Sequence, residues 1–444
     1  MKKAIKRISI IVLLILIYFV YTYYPRLNII TGFSSKSVAS GVFLANRTQA
    51  SVEQGDNNFG LIKKAKNKVS LETKTVISTI YGLKSAKAIY REGLGAVLIN
   101  NDYDASAPYK IPKRNKIPKK LPYPYGNLPQ SDTTFSNVNY DVLQKSVENA
   151  FDKKNKTRSV LVVYENQIIA EKYADGFDKN TPILGWSMAK SITATLYGIL
   201  QKQGKLTINS VTNIPEWQKD ARKNITYNNL LQMNSGLEWD ENYDTMSDVT
   251  KMLFLETEMG SVQLEKSMVG EPNKSWNYSS GTSNLLAGNL LQKQFKTQQQ
   301  YLDFWYAELL DKIGMHSALV EVDLAGNYVG SSYGWASTRD WAKFGLLYLH
   351  KGNWNGEQIL NPSWVQYVST PTEGSNGMYG AHFWLNAGGR YPDVPKDLFS
   401  ANGFQGQFVF IIPSKNIVIV RTGLTEDPEF DVNAFLSGIL QGIE

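Results

Sequence analysis

Ser187 and Lys190 stand three residues apart in Gly185-Trp186-Ser187-Met188-Ala189-Lys190-Ser191-Ile192, and apolar residues recur at helical spacing through Met188, Ile192, Leu196, Ile199 and Leu200 until Gly204. On a helix, that spacing sets both side chains on one face. A lysine kept from water loses its charge more easily and can accept the serine proton, while the free amides of a first helical turn can bind an oxyanion. The chemistry implied is acyl transfer through serine. Read in isolation, the same pair also describes an N-capping serine beside a surface lysine.

Two further segments carry matching chemistry. Trp276-Asn277-Tyr278-Ser279-Ser280-Gly281 is a polar, turn-forming run ahead of an apolar helix from Leu285 to Leu291, and a phenol there can relay a proton to or from a leaving group. Ala401-Asn402-Gly403-Phe404-Gln405-Gly406-Gln407 leads into an apolar strand from Phe408 to Ile412. Its glycines let backbone approach a ligand, and an N–H on such a strand edge supplies a second oxyanion donor. The plain readings of these segments are a packed aromatic and a glycine turn.

A rival nucleophile is Ser332, in the elbow-like Gly330-Ser331-Ser332-Tyr333-Gly334, with Asp340 and His382 following in the required order. An elbow of that kind needs a strand before it and a helix directly after it, whereas the next helical pattern starts near Thr338. Regular βα alternation is also missing.

Composition narrows the classes. With no cysteine, the chain has no disulfide framework and no thiolate chemistry. Its three histidines, His316, His350 and His382, are not spaced as ligands on one helix turn, so neither a metal nor another cofactor is expected. The net charge of +7 gathers largely in Lys2 to Arg7 and Lys110 to Lys120, which is not the footprint of a nucleic-acid face.

The elements that must position these residues read as follows. Residues 1–25 combine Lys2, Lys3, Lys6 and Arg7 with an apolar run from Ile8 to Tyr24, which predicts an uncleaved transmembrane helix. That helix would make the chain a single-pass inner-membrane protein with its catalytic domain on the extracytoplasmic, periplasmic side. Residues 26–106 read as a small accessory region with β-rich runs at Val76 to Tyr81 and Ala96 to Ile99, and residues 107–134 as a Pro/Lys-rich linker or surface wrap. Residues 135–444 hold the remaining domain. Hairpins are predicted around Glu165-Asn166 and around Pro413 to Asn416, helices at Tyr301 to Lys312 and Thr338 to Leu349, and a final helix at Phe430 to Ile443. Strands at both ends with helices between them predict an α+β fold, an antiparallel sheet flanked by helices with an inserted helical subdomain.

In this order, the three segments resemble the serine β-lactamase, penicillin-binding-protein and esterase superfamily, class C-like, most closely its 6-aminohexanoate-dimer hydrolase and esterase branch. Ser187-Met188-Ala189-Lys190 looks like its Ser-x-x-Lys, Tyr278-Ser279-Ser280 like its Tyr-x-Asn or Tyr-x-Ser, and Ala401-Asn402-Gly403 like the place of its Lys-Thr-Gly strand. Leu230 to Leu237 and Ala336 to Gly345 are similar to supporting segments. The resemblance implies that Ser187 forms an acyl-enzyme, that Lys190 and Tyr278 move protons, and that the Ser187 and Phe404 amides form the oxyanion hole. Trp186, Ser280 and Gly403 are the substrate-contact candidates, and Trp186, Tyr243 and Trp335 read either as lining an apolar pocket or, more simply, as aromatic packing. Ala401 replaces the lysine that meets a substrate carboxylate, and Ser280 replaces the asparagine. Both departures favour a small ester or short linear amide over penicillins. The alternative of another class is a β-lactamase-like scaffold serving as an inactive envelope binding protein.

Overall fold

The computed structural model describes residues 2–100, 102–131 and 133–443. Met1, Asn101, Asp132 and Glu444, which fall within the segments predicted above, lie outside the described residues. The chain forms two compact units: unit 1 comprises residues 1–91, 95–107 and 240–257, and unit 2 comprises residues 92–94, 108–239 and 258–444.

In unit 1, helices α1 (Lys2–Tyr23) and α2 (Arg26–Phe43) precede four antiparallel strands, β1 (Lys66–Ser70), β2 (Thr75–Ile80), β3 (Lys84–Arg91) and β4 (Gly95–Ile99), which pair in sequence order. The α2 residues Val38 and Ala39 share a core with Val76, Ala88 and Ala96 of the sheet. The β runs are where composition put them. Helix α2 gave no signal, because its buried positions include Thr31, Gly32, Ser34, Ser35, Ser40 and Gly41 rather than an apolar stripe. Its polar atoms are paired within the unit: Ser34 Oγ donates to Asn67 Oδ1 at 2.9 Å and accepts from Asn57 Nδ2 at 3.2 Å. The helix Asp248–Leu255 joins this unit from far along the chain, with Phe254 set against Phe33 at a ring distance of 5.5 Å.

The expected transmembrane helix is corrected by the structure. Among the described residues, no helix is long and apolar enough to cross a membrane. In α1 the uncharged part begins only at Ile8 and ends with the helix at Tyr23, a length of about 24 Å against a hydrocarbon thickness of roughly 30 Å. The inferred single-pass inner-membrane location and the membrane as a partner fall with it.

Unit 2 is built on a six-stranded antiparallel sheet. Its strands are β5 (Thr157–Tyr164), β6 (Gln167–Tyr173), β7 (Trp384–Leu385), β8 (Phe399–Gly403), β9 (Gln407–Ile412) and β10 (Ile417–Gly423), in the spatial order β7-β8-β9-β10-β5-β6. Both predicted hairpins form, the first with Glu165 and Asn166 in the left-handed region, as a tight two-residue turn requires. Pairing of Ile417 with Tyr164 closes the sheet between its N-terminal and C-terminal strands. Strands β5, β9 and β10 are buried at every position because both sheet faces are covered. Val160 and Val162 face a core shared with Leu143 and Val147 of α3 (Tyr140–Ala150) and with Leu436 and Ile439 of α7 (Val432–Leu440). Leu161 and Val163 face the larger core, which takes in α4 (Met188–Lys202), the helical turns of α5 (Ser280–Leu285) with their continuation to Leu290, and α6 (Thr338–Leu349). Those helices lie between the two hairpins in sequence, as predicted.

The Pro/Lys-rich segment is clamped onto unit 2. Arg114 donates to both carboxylate oxygens of Asp311, at 2.6 to 3.0 Å, and to the Ala318 carbonyl at 2.9 Å, with its guanidinium 3.9 Å from the Tyr306 ring centroid. Asp311 is almost wholly buried, so removing Arg114 leaves its carboxylate without the guanidinium and with the Asn115 N–H at 2.7 Å. Arg114→Ala is expected to cost about 3 kcal/mol of unfolding free energy, read as a lower urea midpoint. Arg114→Lys should recover only part of it, since a lysine cannot make the two-pronged contact.

Candidate active site

The turn that delivers Ser187 is tight. Trp186 sits at φ +48°, uncommon for a bulky residue, and a side chain on Gly185 would meet the Trp341 ring at 2.4 Å. Met188 N donates to Gly185 O at 3.1 Å and Lys190 N to Ser187 O at 3.0 Å, so Ser187 is the N-cap of α4 and stays partly exposed. One turn on, Lys190 is 1% exposed. Its Nζ donates at 2.9 Å to each of three oxygens: Ser187 Oγ, Ser280 Oγ and the Ser331 carbonyl.

The second segment lies against this pair. Ser279 caps α5 by accepting from Thr282 N, which places Ser280 at the Lys190 amine and Tyr278 just ahead of the helix. The Tyr278 ring centroid is 4.9 Å from Lys190 Nζ. The third segment closes the other side. A Cβ on Gly403 would lie 2.0 Å from Gly185 O and 3.2 Å from Ser187 N, so the end of β8 can approach the nucleophile turn only as glycine. Gly403 O accepts from Gly406 N at 3.2 Å, and in a trans peptide this turns the Phe404 N–H away from the loop. Phe404 and Trp186 meet edge to face at 5.4 Å. Trp186 is buried, and Ala401 is buried as part of the larger core. The structure thus brings Ser187, Lys190, Tyr278, Ser280, Trp186, Gly403 and Phe404 together. Tyr243 belongs to unit 1, and Trp335 donates its indole N–H to the buried Glu321 at 2.9 Å.

Sequence reasoning missed the supports. Arg421 of β10, fully buried, donates to the carbonyls of Gly406 and Thr425 at 2.7 and 2.9 Å and so ties down the loop that carries Phe404. Gln407 adds bonds from its amide to Phe404 O at 3.1 Å and to Gly423 O at 2.7 Å. Ser331 was seen only as part of the elbow pattern, where its useful group, a carbonyl, leaves no mark in side-chain identity. The elbow itself does not assemble. Ser332 is 1% exposed with its hydroxyl on Ser331 Oγ at 2.7 Å, and Asp340 accepts from Ser317 and Lys343.

His382 has a different role from the one that pattern suggested. Its Nδ1 donates to Leu231 O at 2.7 Å, which leaves Nε2 to accept from Ser283 Oγ at 2.9 Å, while its own carbonyl accepts from Ser191 Oγ at 2.7 Å. It therefore joins α4 and α5 behind the Lys190 amine. Burial, reinforced by the Lys190 charge and opposed by the Leu231 carbonyl, pulls its pKa from 6.5 to about 3. Between those values the unfolded chain binds a proton that the folded chain refuses. Stability from this site is complete above pH 6.5 and falls as the pH drops toward 3, by about 2 kcal/mol at pH 5. His382→Gln should therefore lose about 2 kcal/mol less than the natural chain between pH 7.5 and pH 5, measured by urea unfolding at each pH.

Cavities of about 340, 510 and 370 Å³ open elsewhere on unit 2, and none is lined by Ser187, Lys190 or Tyr278. Hydrogen-bond geometry, rather than these cavities, identifies the site.

With that geometry in place, comparison with known proteins is decisive. The profile of the Beta-lactamase family matches residues 146–435. The chain belongs to the beta-lactamase family. Over 304 residues it is 23% identical to a 6-aminohexanoate-dimer hydrolase of Paenarthrobacter ureafaciens, an alignment covering 62% of this chain and 74% of that one. The crystal structure of a family VIII carboxylesterase superposes with a TM-score of 0.55 at 14% identity, covering 68% of this chain and 97% of the other. A penicillin-binding protein from Bacillus halodurans superposes with a TM-score of 0.53 at 15% identity, covering 66% and 99%. These structural likenesses establish the β-lactamase and transpeptidase-like α+β fold, and the family membership makes this β-lactamase relative a serine hydrolase.

Proposed function

We propose that this beta-lactamase family member hydrolyses a small ester or linear amide through an acyl-enzyme on Ser187. The observation that carries the reading is the amine of Lys190, a residue 1% exposed, 2.9 Å from the hydroxyl of the partly exposed Ser187. Lys190 acts in its neutral form: the Ser187 hydroxyl turns to donate to Nζ, which takes its proton as Oγ bonds to the substrate carbonyl carbon. The negative oxygen of the tetrahedral intermediate rests on the amides of Ser187 and Phe404. Tyr278, beside the Lys190 amine, passes a proton to the leaving oxygen or nitrogen as its bond to carbon breaks. A water molecule then attacks the acyl carbon, giving its proton to the same Lys190 and Tyr278 pair, and Ser187 leaves reprotonated. Trp186, Ser280 and Gly403 flank the reacting carbonyl. Ala401, at the place where the family lysine meets a carboxylate, supports a substrate without a carboxylate at that point.

Reaction with a fluorophosphonate, followed by intact-mass measurement and peptide mapping, tests the reading. One adduct on Ser187 is expected, lost in Ser187→Ala and kept in Ser332→Ala. An adduct on Ser332 would move the chemistry to the other serine. Absence of any adduct on folded protein would count for an inactive scaffold.

A further inference from the structure

Beside Lys190 the structure gathers four aromatic rings. The Tyr278 ring lies 5.3 Å from Trp384 and 5.7 Å from Tyr379; Tyr379 lies 5.2 Å from Trp384 and 5.5 Å from Trp276. Tyr379 is buried and supports the other three, each of which is partly exposed. We propose that Trp276, Tyr278 and Trp384, backed by Tyr379, form a binding wall for a neutral apolar leaving group, so that aryl and longer alkyl leaving groups are preferred over short ones.

The proposal rests on the reading above that Tyr278 protonates the leaving atom. A residue with that task must sit at the leaving-group side of the carbonyl, so the rings that continue from it border the leaving group rather than the acyl chain. Charge selects the class of group. Once it has taken the Ser187 proton, the Lys190 amine is a cation 4.9 Å from the Tyr278 ring centroid as the leaving group departs, which disfavours a cationic leaving group there. In the adjoining turn Glu271 and Lys274 pair with each other at 2.6 Å, and Ala401 offers no charge for a carboxylate. Flat apolar area remains, and aromatic or alkyl groups gain by covering it.

The test is kcat/KM of the full chain for ethyl, n-butyl and benzyl acetate, with ethyl hexanoate as the acyl-side comparison. Benzyl acetate is expected to exceed ethyl acetate by about tenfold or more. Trp384→Ala and Trp276→Ala should each lower the benzyl-to-ethyl ratio, by about tenfold for Trp384→Ala, while leaving the hexanoate-to-acetate ratio within about twofold. Two variants at separate positions guard against one failing to fold. Equal rates on all three acetates, or a loss that follows the acyl chain, overturns the wall proposal and leaves the hydrolase reading standing. No turnover together with no fluorophosphonate adduct at Ser187 overturns both.

Discussion

Ser187→Ala is expected to lower ester hydrolysis by about 10⁴-fold or more and to abolish fluorophosphonate labelling, with unfolding behaviour close to that of the natural chain. The reason is geometric. Lys190 donates to Ser187 Oγ, Ser280 Oγ and the Ser331 carbonyl, so losing one acceptor leaves the amine held by two others. The fold keeps its packing while the Ser187 hydroxyl disappears. Lys190→Ala should be nearly as severe in rate, because the two groups act as one unit and their effects do not add. It should also lower stability, since Lys190 fills a fully buried volume. A double variant that loses little beyond either single one is the expected pattern. Independent, multiplying losses would show that Lys190 does not serve Ser187.

The next largest effect is expected at Gly403. A methyl group there would stand 2.0 Å from Gly185 O and 3.2 Å from Ser187 N, and both are backbone atoms that cannot swing aside. Strand β8 must therefore move away from the nucleophile turn, carrying the Phe404 amide with it. Loss of one oxyanion donor typically costs about 10²–10³ in kcat, and Gly403→Ala should fall in that range. Overpacking adds roughly 1–3 kcal/mol of destabilisation. The diagnostic measurement is kcat set against labelling: slow turnover with Ser187 still able to react with fluorophosphonate is expected. Unchanged kcat would remove Phe404 from the oxyanion hole.

Much of this site is legible in the chain because each part is local. Ser187 and Lys190 are neighbours on one helix turn, Tyr278 and Ser280 flank one helix start, and Gly403 ends one strand. A periodicity of 3.6 or 2 residues fixes such relations without tertiary information. The hairpins at Glu165-Asn166 and at Pro413 to Asn416 were readable for the same reason, since turn chemistry is local. Helix α2 was not, because serine, threonine and glycine interrupt its buried apolar positions and their polar atoms pair within the unit, as Ser34 does with Asn67 and Asn57. The apolar run after Arg7 suggested a span from its length and its flanking charges, and the structure ends that helix at Tyr23, with about 24 Å of uncharged length.

The sequence by itself determined which groups could react and in what order they occur: Ser187 with Lys190, then Tyr278 and Ser280, then Gly403 and Phe404. Tertiary structure decided what holds them. Pairing of Ile417 with Tyr164 brings the chain ends into one sheet, and Lys190 reaches Ser331, 141 residues away, through a carbonyl that every residue type possesses. Arg421 supports the Phe404 loop from a strand with no motif, and His382, which only fitted the chain order of the rival triad, is a neutral latch between helices. Backbone acceptors and buried positioning contacts depend on how distant segments meet, and residue type records that meeting only weakly.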